Sequence, residues 1–214
     1  GVVMGDPSMD SGQERLSLLA EMTSLFASGL DAAATLQGVV NLFAPGFAAW
    51  ASIDLIDGPV SRRVAVASVD IPGHVEALRD LHDTPAGLHP NNVPRFYRDA
   101  ASVVQIDTPN DYPWPPRTPA HDALYRAVLP MSLLFAPLRA HDETLGVLQV
   151  VTIHGERRFI DDDARMVADV AQRAAYAIYT ARLVQRLQQE LALRSEATRR
   201  LEASEARYRR LFEG

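Results

Sequence analysis

The chain has 214 residues, a formal net charge of −6 and no cysteine, and its 21 basic side chains are all arginine. Without cysteine, thiol catalysis, disulfides, thiolate metal sites and thioether attachment of a tetrapyrrole are excluded; without lysine, so are Schiff-base chemistry and the phosphate-binding lysine of a P-loop. The acidic balance argues against a nucleic-acid surface, and no segment approaches the roughly 20 near-unbroken apolar residues of a membrane span, since Arg126, Pro130 and Ser132 interrupt even Ala123–Leu138.

The length fits one globular domain with helical extensions. Residues 1–10 read as a flexible lead-in with no secretory signal pattern. Between Ser11 and Ser28, the residues Leu16, Leu19, Ala20, Met22, Thr23 and Phe26 recur at helical spacing, and Ser11 with Glu14 fits a capping box. A second helix is expected from an Asp31 N-cap through Leu36, Val39, Val40 and Phe43, stopping at Pro45-Gly46.

The period then changes to two. Over 47–56, Ala49, Ala51, Ile53 and Leu55 share one face and Trp50, Ser52, Asp54 and Ile56 the other; Asp57-Gly58 marks a turn, and Arg63–Val69 alternates again, so a hairpin is expected. A short helix is read over Pro72–His82, another over Val93–Asp99, a strand over Ser102–Ile106, and a third short helix over Ala120–Ala127. The five-proline segment TPNDYPWPPRTPA between them has no periodicity and is a candidate binding loop. Two strong strands follow, Met131–Leu138 and Thr144–Ile153, joined at Ala140–Glu143. A final helix, with Phe159-Ile160 stapling its start and its N-cap among Asp161–Asp163, is expected to run to the end of the chain.

This order of elements resembles the GAF domain. The match is carried by Ser132-Leu133-Leu134-Phe135-Ala136-Pro137-Leu138, by Leu145-Gly146-Val147-Leu148-Gln149-Val150 after a polar turn, and by Arg158-Phe159 followed by acids and Ala164–Ala174, with Gln172, Ala175, Ala177 and Ile178 in phase. The resemblance covers about Gln13–Arg182. It implies an α+β fold, a GAF-like antiparallel β-sheet with helices packed on one face and a loop-covered pocket on the other, followed by a long C-terminal helix. The domain boundaries are then 1–10 for the lead-in, 11–182 for the sensory domain and 183–214 for a signalling helix. Within the last, Glu205–Glu213 resembles the opening helix of a PAS domain, so a downstream domain is expected.

The resemblance places a small-molecule site under the loops, where Arg95, Phe96, Tyr97, Tyr112, Trp114, His121 and Tyr125 are the candidates, with His89, Asn91, Asn92 and Arg98 nearby. Arginine would hold an anion and aromatic faces a planar ring; the alternative is that the aromatics only seal the sheet. The cyclic-nucleotide motif of the family is incomplete, because its lysine is missing and Asp99 is displaced by one position from its acid. The cofactor is left unnamed: covalent bilin attachment needs a cysteine, and haem, for which His89 or His121 would be the axial ligand, is not expected. No metal ligand set and no nucleophile–base pair is evident, so no catalysis is expected from these residues, and Asp161–Asp163 is explained by the helix dipole.

The tail has a seven-residue repeat. Val184, Leu191, Thr198, Glu205 and Phe212 occupy one seam position and Leu187, Arg194, Leu201 and Tyr208 the other, apolar at six of nine places. Ahead of it Val167, Val170, Ala171, Ala174, Ile178 and Ala181 form a small-residue stripe that either the sheet or a second copy can receive. The expectation is a cytoplasmic, bacterial-type sensor, a parallel homodimer paired through Leu16, Leu19, Thr23, Val184, Leu187, Leu191, Leu201 and Tyr208, which binds an unknown small molecule. The alternative is a ligand-free dimerisation and spacer module.

Overall fold

A proline opens the first helix. In the computed structural model, which describes residues 7–27, 31–57, 60–69, 73, 76, 103–107, 126, 129–153 and 157–212, α1 spans Pro7–Ala27. Proline at the first helical position lacks only an N–H that has no intrahelical partner there. Ser11 therefore lies inside α1, and neither the capping box at Ser11 nor a lead-in reaching Asp10 is found. Apart from single residues, the expected short helices at 72–82, 93–99 and 120–127, Gly58 of the first turn and the proline-rich segment lie outside the described residues.

The second helix, α2 (Ala32–Phe43), starts as expected: Asp31 is its N-cap, and the Asp31 carboxylate accepts from Ala34 N–H at 2.8 Å. Its buried face is Thr35, Leu36, Val39, Val40 and Phe43, a helical stripe that removes the apolar side chains from water.

Among the described residues five strands follow: β1 (Trp50–Asp57), β2 (Val60–Ser68), β3 (Val104–Asp107), β4 (Pro130–Ala140) and β5 (Glu143–Ile153). They form one antiparallel sheet in the order β2-β1-β5-β4-β3. The central strand β5 is buried over most of its length, which explains why it is apolar on both faces. Ala140 pairs with Glu143, leaving His141 and Asp142 as a two-residue turn; His141 takes a left-handed φ of 54°. Such a backbone is more often given to glycine or asparagine, and here the imidazole packs edge-on to Tyr176, with ring centroids 6.0 Å apart.

The last helix, α3 (Asp161–Phe212), has 52 residues. Its N-cap is Ile160, whose carbonyl accepts from Asp163 N–H and Ala164 N–H, so the acidic run is the first turn and not the cap. Asp163 reaches back and accepts from Ile160 N–H at 2.9 Å, the half of a capping box that the third helical residue supplies. The chain divides into two compact units, Gly1–Ala177 and Ile178–Gly214. In the first, Val167, Val170, Ala171 and Ala174 are buried.

One face of the sheet receives the helices. Ser132 on that face donates to Asp107 and accepts from Phe159 N–H at 3.3 Å, while the Gln105 amide donates to Phe159 O at 2.9 Å, which pins the chain just ahead of α3 against β3 and β4. An aromatic series extends the joint: Phe43 to Phe47, then Phe47 stacked on Phe159, each pair at 5.8 Å. The Gln172 amide donates to Arg139 O at the far end of β4. The small residues Ala51, Ala65, Ala67 and Ala136 share this face and give it little bulk.

Charge fastens α1 to the start of α3. Arg15 pairs with Asp162 at 2.9 Å and with Asp163 at 3.6 Å; Arg157 grips the fully buried Asp163 at 2.5 and 3.2 Å while lying over the Phe47 ring. The Arg15 hydrogen bond, followed by that from Arg165, holds the Asp162 carboxyl below its usual value of 3.8. A depressed carboxyl contributes stability above its unfolded value and loses it as pH falls through the folded one. Asp162→Asn should therefore be less stable than the natural chain at neutral pH and converge with it as pH drops below the ordinary carboxylate range. A gap in melting temperature that stays constant with pH would refute this.

Two glycines respond differently to an added methyl. At Gly146 a Cβ would stand 2.1 Å from the Asp54 carbonyl oxygen and 3.1 Å from Leu55 Cα, both backbone of the neighbouring strand; at Gly38 it would meet only the Leu25 side chain. Gly146→Ala should cost about 2–3 kcal/mol because a strand must shift. Gly38→Ala should stay within about 1 kcal/mol of neutral, since Leu25 can turn aside and alanine favours the helix. Denaturant titration of the two variants checks the order.

Candidate functional site

On the face of the sheet away from the helices, β1 presents Trp50, Ser52 and Asp54, β5 presents Val147, Gln149 and Val151, and β4 presents Leu133 and Phe135. All are buried, and the polar ones are not incidental. The Arg63 guanidinium grips the Asp54 carboxylate with two bonds, Nε to Oδ1 at 2.7 Å and Nη2 to Oδ2 at 3.1 Å, and both side chains are only 4% exposed. Gln149 Oε1 accepts from Arg63 Nη2 and from Ser52 Oγ, each at 3.5 Å. Ser52, Asp54, Arg63 and Gln149 thus form a buried, net-neutral polar quartet across three strands, with Trp50 and Phe135 on the same face.

A register shift brings the quartet together. From Ile53 paired with Ala65, regular pairing would put Val64 opposite Asp54; the bulge between Ile53 and Asp54 puts Arg63 there instead, and Val64 is left exposed. Burying an ion pair is costly in itself, and only close geometry with further hydrogen bonds recovers the desolvation. The bidentate contact and the Gln149 carbonyl oxygen supply both conditions.

Alternation in β1 already places Trp50, Ser52 and Asp54 on one face, and alternation in β5 places Gln149 inward. That a strand face mixes buried polar groups with tryptophan is the signal by which these residues can be found. Their pairing with Arg63 is invisible without the bulge. Of the residues expected to hold a ligand, Arg95, Phe96, Tyr97, Tyr112, Trp114, His121 and Tyr125 all lie outside the described residues, as do the alternative haem ligands His89 and His121. Among the described residues no group of three or more histidines, aspartates and glutamates is arranged to hold a metal. Asp162 and Asp163 are engaged by arginines, and His141 by Tyr176.

The residues expected at a dimer interface are accessible for the most part. Leu16 is 70% exposed, Thr23 is exposed with its hydroxyl donating to Leu19 O, and Leu19 is half-buried. Val184, Leu187, Leu191, Leu201 and Tyr208 are between 48% and 64% exposed along α3. No helix among the described residues is long and apolar enough to cross a membrane.

This architecture is that of a known regulatory family: the sequence model of the GAF domain matches residues 31–178, and the chain belongs to that family. Among solved structures, the GAF domain of a phosphoenolpyruvate-protein phosphotransferase from Coxiella burnetii superposes with a TM-score of 0.63 at 15% identity, covering 81% of this chain and 97% of that one. The phycoerythrobilin-bound GAF domain of a cyanobacterial phytochrome gives 0.58 at 16%, covering 81% and 99%, and a GAF domain/HD domain protein from Geobacter sulfurreducens gives 0.57 at 14%, covering 72% and 97%. At these identities the likeness establishes the fold. No curated protein sequence matches the chain.

Breaking the quartet from one side strands a buried charge. Asp54→Leu and Arg63→Met should each cost about 3–5 kcal/mol, whereas the double variant Asp54→Leu/Arg63→Met should recover most of that loss. Additive costs in the double-mutant cycle would show that the two side chains do not act as a pair.

Proposed function

We propose that the chain is the sensory, non-catalytic module of a multidomain signal-transduction protein of bacterial type, working in the cytoplasm. It binds a small molecule on the sheet face opposite the helices and passes the signal through a dimeric α3 toward a downstream, PAS-like domain. The observation that carries this reading is the buried polar quartet, because a face that served only as core would be stabler with apolar residues of the same volume. The cyanobacterial phytochrome domain with the same fold holds phycoerythrobilin, so the fold can take a sizeable planar ligand. Here thioether attachment is excluded and the ligand must be held without it. The candidates from sequence, Arg95, Phe96, Tyr97, Tyr112, Trp114, His121 and Tyr125, would contribute the cover and Gln149 a polar contact in the floor.

Transmission requires that the ligand bind one state of the domain better than another, since equal affinity shifts nothing. The quartet also supports a second reading. Asp54 and Arg63 satisfy one another without a ligand, as a dimerisation and spacer module would need.

Native mass spectrometry with an absorbance scan on the same freshly purified sample separates the two. A dimer carrying a removable extra mass, lost from Gln149→Leu and from Arg95→Ala with the fold intact, is the result expected of the sensor. A dimer with no extra mass favours the spacer. Truncation after Arg182 should abolish dimerisation if α3 holds the pair, and a surviving dimer would move the interface to α1.

A further inference from the structure

The exposed seam of α3 carries two charges in positions that normally face a partner. Arg194 and Glu205 interrupt the apolar series Leu187, Leu191, Leu201, Tyr208 and Phe212, all of which are more than half exposed. In a parallel, in-register pair each seam residue meets its own copy, so Arg194 would face Arg194 and Glu205 would face Glu205. Like charges at facing positions are unfavourable. The Glu190 carboxylate, 2.8 Å from Arg194 on the same helix, neutralises one of the two sites only partly, because both side chains are largely solvated.

Reversing one helix removes both clashes in a single register. In an antiparallel pair the two seam positions alternate across the interface. Placing the two-fold axis between Arg199 and Arg200 sets Arg194 opposite Glu205, Thr198 opposite Leu201, Leu191 opposite Tyr208 and Leu187 opposite Phe212, each pairing occurring twice by symmetry. Both charges of the seam then meet their opposites. Tyr208 and Phe212, already stacked with ring centroids 4.4 Å apart, cover Leu191 and Leu187 of the other copy. The flanking positions add no clash: Gln188 falls near Arg209, Ser195 near Glu202, Glu190 near Leu211 and Ala197 near Ser204. Arg199 and Arg200 themselves point away from the seam in this heptad, and Arg200 is paired with Glu196 at 2.8 Å.

We propose that residues 187–212 of α3 pair with a second copy of this chain in an antiparallel direction, with Arg194–Glu205 ion pairs fixing the register. This replaces the parallel arrangement expected from the sequence and rests on the reading of α3 as a dimerising helix. The paired segment is about 39 Å long at 1.5 Å per residue.

The chain has no cysteine, so single-cysteine variants of the whole protein give unambiguous cross-links. Leu191→Cys and Tyr208→Cys are made separately and oxidised with diamide, alone and mixed after exchange. The antiparallel pair should give a covalent dimer only in the mixture, because Cα atoms of facing residues must approach within about 7 Å. Self-cross-linking of Leu191→Cys alone, with nothing gained on mixing, would establish a parallel pair and overturn this inference while leaving the dimer. A sedimentation measurement that finds only monomer would overturn the dimer as well. Charge reversal gives an independent check: Arg194→Glu should weaken association about tenfold or more, and Arg194→Glu with Glu205→Arg should restore it. If the double reversal stays as weak as the single, the two residues do not face one another.

Discussion

The sheet depends on how closely β1 can approach β5 at one point. The Asp54 carbonyl occupies the space in which any side chain at position 146 would begin, so the register of the two strands is set by a glycine whose value is its missing Cβ. The same residue, Asp54, uses its carboxylate to grip Arg63 on the other side, across a bulge that turns the arginine inward. Backbone fit with β5 and charge pairing with β2 therefore meet at a single residue. The remaining strands follow from β5 outward through β4 to β3, and the buried polar face is built on this alignment.

Much of this was legible in the residues themselves. Asp31 followed by an apolar helical stripe gave α2 to within a residue, and the period-two alternation in 50–56 and 144–153 gave the strands and their faces. The starts of α1 and α3 differ from the sequence expectation for a physical reason. A capping box at Ser11 and a proline at position 7 are both acceptable openings, and local propensity does not rank them once α1 has ion pairs through Arg15 to hold it. At α3 the acidic residues read as caps because aspartate favours that position, yet Asp163 caps from inside the first turn by reaching back to Ile160. A β-bulge leaves no mark in alternation beyond a phase slip, which is why alternation alone puts Val64 on the face of Val66 and Ser68, the place that the fold gives to Arg63 while Val64 is exposed. The ligand candidates rested on a loop reading, and the quartet that the fold assembles comes from strands.

The two faces of the sheet use polar groups for different ends. Facing the helices, Ser132 and Gln105, both held by the Asp107 carboxylate, saturate backbone atoms at the approach to α3, where an unsatisfied N–H or carbonyl would be costly. On the opposite face the polar atoms chiefly satisfy each other. Groups that serve the backbone must stay where they are, whereas a self-contained network can exchange one partner for another of similar chemistry. That difference is the physical ground for proposing the second face as the one that recognises a ligand.

The arginine-only basicity of the tail has a practical counterpart. Arg186, Arg194, Arg199, Arg200, Arg207, Arg209 and Arg210 are exposed along a continuous helix, and with no lysine in the chain each tryptic site is an arginine. A protease cannot cut a helical backbone until a few turns open, so the cleavage rate along this segment measures local opening. Limited trypsinolysis would then read the helical order of the tail arginine by arginine, and any binding event that tightens or loosens it would appear as a change in the cutting pattern.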